Sequence, residues 1–199
     1  MSGRPLTGVT SVLGWRRRAS GQSRRPHRRR RAIAAVVIVV VLAFGTATAR
    51  LFVWPAQGMP SRVSAIVMLA GPGDRLGTAL QLARARRAPM LVVSRGHEGY
   101  GGACPSKIGG LTVICFDPSP ATTRGEAQFI GRLARRYHWH SIVLVTIRPQ
   151  DTRARIRFGR CFGGTIYVVT APMPVYDWPY QVAYEWGAMF KALALQRSC

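Results

Sequence analysis

Residues 63–87 read VSAIVMLAGPGDRLGTALQLARARR, and the reading of this stretch decides the fold. Val63 to Leu69 is apolar but for one serine, as expected of a short strand covered on both faces. Ala70-Gly71-Pro72-Gly73 punctuates it as a turn. From Asp74 to Arg87 the apolar residues change period, and Leu76, Ala79, Leu80 and Ala83 fall on one helical face. The same alternation continues downstream. Met90–Ser94, Leu111–Phe116, Ser141–Thr146 and Thr165–Val169 read as strands. Thr123–His138, Asp151–Cys161 and Gln181–Leu195 read as helices. In the first of these Ala127, Ile130, Leu133 and Ala134 point inward, and in the last Val182, Trp186, Phe190 and Leu193 are expected to be buried. Strands alternating with helices pair in parallel through crossovers, which predicts an α/β, Rossmann-like three-layer sandwich with a mostly parallel sheet of about five strands.

Upstream, the chain changes character twice. Residues 1–31 hold ten arginines and no acid, with no apolar periodicity, and read as a disordered tail. Ala32 to Ala49, AIAAVVIVVVLAFGTATA, carries no charge over 18 residues. As a helix it would extend about 27 Å, close to the hydrocarbon thickness of a bilayer. Residues 32–54 are therefore expected to form one transmembrane signal anchor, closing on Leu51-Phe52-Val53-Trp54, and residues 55–62 a linker. Basic flanks stay in the cytoplasm, so the tail is predicted inside and the domain at 63–199 outside, on a single-pass protein of the cell membrane. Ala47-Thr48-Ala49 is also an A-x-A pattern that a signal peptidase accepts, against which stand the long arginine-rich leader and the apolar continuation beyond Ala49.

This topology also explains the charge. The net +22 invites a nucleic-acid reading, but the arginine cluster serves membrane orientation, and no nucleic-acid partner is expected. Residues 55–199 still carry 18 basic and seven acidic side chains. Outside the membrane the anions they would meet are headgroups, lipid-linked phosphates and wall polymers. Four cysteines, Cys104, Cys115, Cys161 and Cys199, all fall on the side expected to be oxidising. Three pairings are open; Cys104–Cys115 and Cys161–Cys199 are expected, stapling a glycine-rich loop and tying down the last helix.

In a parallel sheet the ligand crevice lies beyond the carboxyl ends of the strands, which nominates the segments after Leu69, Ser94, Phe116 and Thr146. Gly71, Gly73, Asp74 and Arg75 follow the first strand in a G-x-G-x-x-x-G pattern. Pro72 removes an N–H and Asp74 brings a negative charge, so a dinucleotide fits poorly, whereas a smaller phosphate- or nucleotide-like anion remains open beside plain helix capping by Asp74. Thr122, Thr123 and Glu126 open the next helix; either threonine could cap it, Thr123 with Glu126 forming a capping box, and Glu126 is the available general acid or base. Ser94, Thr146, Gln150 and Arg153 complete the predicted lining. Arg153, Arg157 and Arg160 also share a helical face, which reads equally as a solvated stripe. His97, His138 and His140 lack metal-ligand spacing, so no metal is expected, and no cofactor is assigned.

Taken in order, IVMLAGPGDRLGTALQLA, LVVSRG, DPSPATTRGEA, LVTIRPQDTRAR and EWGAMFKAL resemble the YdcF/SanA/ElyC family, a bacterial domain often tethered by one N-terminal span, over roughly residues 63–195. The resemblance implies a cleft lined by polar strand-end residues and a role in maintaining the cell envelope through peptidoglycan or lipid-carrier metabolism. It also raises S-adenosylmethionine-dependent transfer, disfavoured because an outward-facing domain lacks access to that cytosolic cofactor. Three departures stand out: Ser94-Arg95-Gly96 where the family has Ser-Gly-Gly, Ile147 where it has Ser, and Gln150 where it has His. Losing that imidazole removes the group best suited to proton transfer near neutral pH. The expected function is therefore anion binding at the strand ends, with a non-catalytic envelope scaffold as the alternative; whether the chain is an enzyme is left open.

Overall fold

The computed structural model describes residues 25–96, 104 and 108–199. Two units separate, residues 1–42 and residues 43–199. Helix α1 (Arg25–Thr48) begins seven residues before the apolar run, so the arginines at 25 and 28–31, expected in a disordered tail, are helical. Counted from His27 to Val53 the helical stretch is 27 residues, about 40 Å at 1.5 Å per residue, and long and apolar enough to cross a membrane. Its last turn, Ala49–Val53, is a π-helix.

The second unit holds a five-stranded parallel sheet ordered β3-β2-β1-β4-β5, with β1 Ala65–Met68, β2 Met90–Ser94, β3 Thr112–Phe116, β4 Ser141–Thr146 and β5 Thr165–Thr170. The helices are α2 Arg75–Arg84, α3 Thr123–Arg136, α4 Asp151–Gly159 and α5 Trp178–Phe190, the last continued by a π-helical turn, Lys191–Leu195. Each strand lies within a residue or two of its expected position. α2 packs with Ile66, Met68, Leu91 and Val143 on one face. α3 and α4 pack with Val67, Val92, Ile142 and Leu144 on the other. Alternate residues of β1 thus feed opposite cores, as period-2 geometry requires. The chain builds outward from β1 to β3, then returns to β4 beside β1 and builds the other way. With crossovers of constant hand, this reversal puts α3 and α4 on the face opposite α2. It also opens a crevice between the carboxyl ends of β1 and β4.

The linker at residues 55–62 is tied down. Gly58 bridges Val168 on edge strand β5, Gln57 Nε2 donates to Asp151 at 2.6 Å, and Arg155 donates to the Ala56 carbonyl at 2.8 Å. Both disulfides pair as expected, Cys104 with Cys115 and Cys161 with Cys199.

Two expectations about faces are overturned. On α5, Phe190 and Leu193 are exposed, whereas Glu185, Met189 and Ala192 are buried. The helix is rotated because Glu185 pairs with Arg153 beneath it. The arginine stripe of α4 is not a solvated face either, since Arg153 and Arg157 are both buried. Arg157 donates to the main-chain and side-chain oxygens of Gln196, and Arg160 to the carbonyls of Ala192 and Gln196. These guanidiniums satisfy the open carbonyls where the C-terminal helix ends.

Candidate functional site

A cavity of about 390 Å³ lies at the β1/β4 crevice. Its wall comes from the loop after β1, the start of α3, the start of α4 and one side of α5. Of the residues nominated from sequence, Gly71, Arg75, Thr122, Thr123, Glu126, Gln150 and Arg153 line it. Gly73 and Asp74 do not; they border a separate shallow depression with Pro172, Met173 and Asp177. There Asp74 serves as the α2 N-cap, accepting from Gly77 N–H at 2.9 Å. Ser94 and Thr146 are buried in the layer behind the wall.

The β1 loop is shaped by Arg75, whose side chain folds back under it. Nε donates to the Pro72 carbonyl at 2.8 Å and Nη1 to the carbonyls of Ala70 and Leu69 at 2.6 and 3.3 Å. Gly71 permits this, for its φ is +132° and a Cβ there would sit 2.6 Å from Arg75 Nη2. The start of α3 is set by a second close approach. A Cβ on Gly125 would lie 2.0 Å from the Pro120 carbonyl oxygen, so glycine alone lets the helix seat against the preceding loop. Of the two threonines open as caps, Thr122 is the N-cap, accepting from Gly125 N–H at 3.3 Å. The expected capping box therefore does not form. Thr123 and Glu126 are released to face the cavity.

Glu126 is almost completely buried and accepts from the Ala70 N–H at 2.8 Å, which joins α3 to the end of β1. Burial pushes its carboxyl above the usual range, against the opposing pull of the Ala70 hydrogen bond and the Arg75 and Arg153 charges. The Ser94 hydroxyl also opposes the shift, although Oγ closes no regular hydrogen bond. Thr123 Oγ1 accepts twice, from Gln150 Nε2 at 3.1 Å and Arg153 Nη1 at 2.9 Å. Gln150 Oε1 in turn accepts from the Thr146 hydroxyl at 2.8 Å. With its lone pairs so engaged, Thr123 is left as a donor whose proton is available to the cavity.

Arg153 is placed as predicted but not free as predicted. Its Nε and Nη2 form a two-pronged pair with Glu185 at 2.6 and 2.7 Å, and the Tyr184 ring lies 5.8 Å from its guanidinium. Burial alone would lower its proton affinity, but the Glu185 carboxylate outweighs that and raises it. Sequence reasoning missed the whole α5 wall, Tyr180, Gln181, Tyr184 and Glu185. The available signal was that Glu185 is the one acid within residues 178–199, on a helix otherwise apolar on its inward side.

Among the described residues no group of three or more His, Cys, Asp or Glu side chains comes together. His97 lies outside the described residues, and His138 and His140 are exposed at a turn away from the cavity. The arrangement thus offers a hydroxyl donor and a buried carboxyl of raised proton affinity beside a tight glycine turn, with the Arg75 and Arg153 guanidiniums engaged by the protein and contributing their charge, the chemistry of an oxyanion site rather than of a nucleophile–base pair. The second unit is a doubly wound α/β domain with its site at the topological switch point. Comparisons with family models, curated proteins and solved structures find no match to the chain.

Proposed function

We propose that the chain is a single-pass membrane protein whose α/β domain stands outside the cytoplasm and binds a phosphate- or nucleotide-like anion at the strand ends, in the service of cell-envelope maintenance. The Thr123 hydroxyl carries the reading. Two buried donors, the Gln150 amide and the Arg153 guanidinium, orient it so that it can only give its proton, and an oxyanion is the partner that takes one. Burial raises the proton affinity of the Glu126 carboxyl, which in its protonated form would be a second donor. The apolar span with its one-sided arginines and two disulfides support the outward placement. The motif order shared with the YdcF/SanA/ElyC family supports the envelope role, with lipid-linked phosphates or wall polymers as the anions.

One observation favours a second reading, a scaffold that binds without turnover. Gln150 is buried and occupied at both ends, by Thr146 and by Thr123, so the position offers no proton-transfer group.

Calorimetry on the full chain in detergent micelles, titrated with inorganic pyrophosphate and a panel of phosphorylated envelope precursors, tests the binding. Thr123→Val keeps the side-chain shape and removes the donor, and a hydrogen bond to a charged group is worth about 1.5–3 kcal/mol, so affinity is expected to fall by about tenfold or more. Unchanged affinity in the variant, or no heat with any of these anions, overturns the site. A reporter enzyme fused after Cys199 and active only in the cytosol overturns the topology.

A further inference from the structure

α5 presents a face that its own domain leaves uncovered. Around the helix, Tyr180, Tyr184 and Phe190 are exposed by 69, 53 and 67 %, with Ala183 and Gly187 exposed between them and Ala194 and Leu195 exposed beyond, Leu195 by 70 %. Tyr180 and Tyr184 stack on each other with ring centroids 6.4 Å apart. Residues at positions 180, 183, 184, 187, 190 and 194 follow the helical period, so this is one continuous stripe rather than scattered side chains. No exposed acid occurs from 178 to 199, and the charges beside the stripe are Lys191 and Arg197. The remaining acid of that segment, Glu185, is turned into the domain on Arg153.

The flank of the same helix says what covers this face. Trp186 stacks on Phe44 at 5.1 Å, meets Phe52 edge-on at 5.2 Å, and donates from Nε1 to Thr48 Oγ1 at 3.2 Å. Thr152 donates to the Leu51 carbonyl at 2.6 Å. Phe44 and Thr48 belong to the uncharged run of 18 residues from Ala32 to Ala49, so α5 is fastened to the end of the very segment read as the membrane span. Arg50 and Trp54, both exposed, close that run with the residue types that settle at the headgroup level.

We propose that the exposed stripe of α5 and the following turn lies in the headgroup–acyl boundary of the lipid bilayer, as an interfacial helix. The inference rests on the membrane-anchor reading and adds a second, peripheral contact to it. Aromatic rings on one face, flanking Lys and Arg and no exposed acid are what an interface with anionic lipid selects. Tyr180 and Tyr184 also border the cavity, so the cleft mouth is brought to the headgroup layer.

Site-specific photocross-linking distinguishes this from its alternatives. p-Benzoylphenylalanine replaces Phe190, Val40 or Arg135, one at a time, in the full chain reconstituted into vesicles of phosphatidylethanolamine and phosphatidylglycerol. Adducts are then read by mass spectrometry. Phe190 and Arg135 are exposed and Val40 lies within the apolar run, so none of the three disturbs the core. Lipid adducts at Val40 and at Phe190, with several-fold less at Arg135, are the expected result. Adducts at Val40 without any at Phe190 overturn the interfacial helix and leave the anchor standing. Adducts from Phe190 to a second copy of the chain in place of lipid overturn it in favour of a dimer. No lipid on Val40 removes the anchor and this inference together.

Discussion

Replacing Glu185 by alanine tests how the last helix is held and how the cleft wall is built. Two of the Arg153 nitrogens end on the Glu185 carboxylate at 2.6 and 2.7 Å, and a third ends on Thr123 at 2.9 Å. Both side chains of the pair are nearly sealed from solvent, at 9 and 2 % exposure. Removing the carboxylate strands a guanidinium with two unpaired donors at a nearly sealed position of the cavity wall. Breaking a buried pair from one side costs about 3–5 kcal/mol. For a chain of this size each kcal/mol moves the thermal midpoint by about 2–4 °C, so a fall of about 6–20 °C is expected. Glu185→Gln keeps the shape and one acceptor and is expected to lose about 1.5–3 kcal/mol, the worth of one hydrogen bond to a charge. Arg153→Met with Glu185→Leu removes both charges and fills the volume, and such swaps end within about 2 kcal/mol of the parent. Urea unfolding of the full chain in detergent micelles, followed by tryptophan fluorescence and circular dichroism, measures all three. If Glu185→Ala loses less than about 1 kcal/mol, the value of a solvated pair, the pairing of α5 with α4 is refuted. If the double variant is as damaged as the single, the charge is not what the site was protecting.

The cysteines give a second expectation. Cys161–Cys199 closes a separation of 38 residues and Cys104–Cys115 one of 11, so loop-closure entropy assigns them about 4 and about 3 kcal/mol. Cys199→Ala should therefore destabilise more than Cys104→Ala, and mass spectrometry without reduction should find no alkylatable thiol in the parent. Glu126→Gln gives a third. Because burial raises the folded-state pKa of Glu126, its contribution is fully present below the ordinary carboxyl value of 4.5 and is lost as pH rises through the raised one. Glutamine cannot ionise, so the variant should gain on the parent across that window and hold its advantage above it. Urea midpoints taken at a series of pH values read this directly, and a difference that stays constant with pH would show that the carboxyl ionises as freely folded as unfolded.

What the sequence made legible was whatever depends on local pattern. β1, β2 and β4 are runs of Val, Ile and Leu bounded by turn residues, and buried parallel strands have no other way to read. The strand-end rule then collected Gly71, Thr123, Glu126, Gln150 and Arg153 around one cavity, because parallel strands all deliver their carboxyl ends to the same edge. What failed was what depends on tertiary partners. Asp74 and Gly73 share the first turn with Gly71, yet the left-handed glycines there send the chain out of the cavity. The capping box was displaced by one residue because Gly125 seats against Pro120 and hands the cap to Thr122. The face of α5 was misread because apolarity pointed Phe190 and Leu193 inward. A buried ion pair with an arginine 32 residues earlier turned the helix instead, and periodicity carries no trace of such a partner.

The same dependence on partners gives Gln150 its meaning. An imidazole at that position would exchange donor for acceptor as it titrates, and Thr123 would change role with it. The amide of Gln150 has one fixed acceptor, taken by Thr146, and a donor, given to Thr123, and neither alters with pH. Arg153 holds the other side of Thr123 with a charge that Glu185 secures. Thr123 is thereby a donor at every pH at which the domain is folded, and among the described residues Glu126 is a titratable group of the lining that would face the proposed anion. Anion affinity should then rise as pH falls through the Glu126 transition, when a repelling carboxylate becomes a second donor, and the rise should vanish in Glu126→Gln while Thr123→Val lowers affinity evenly at all pH.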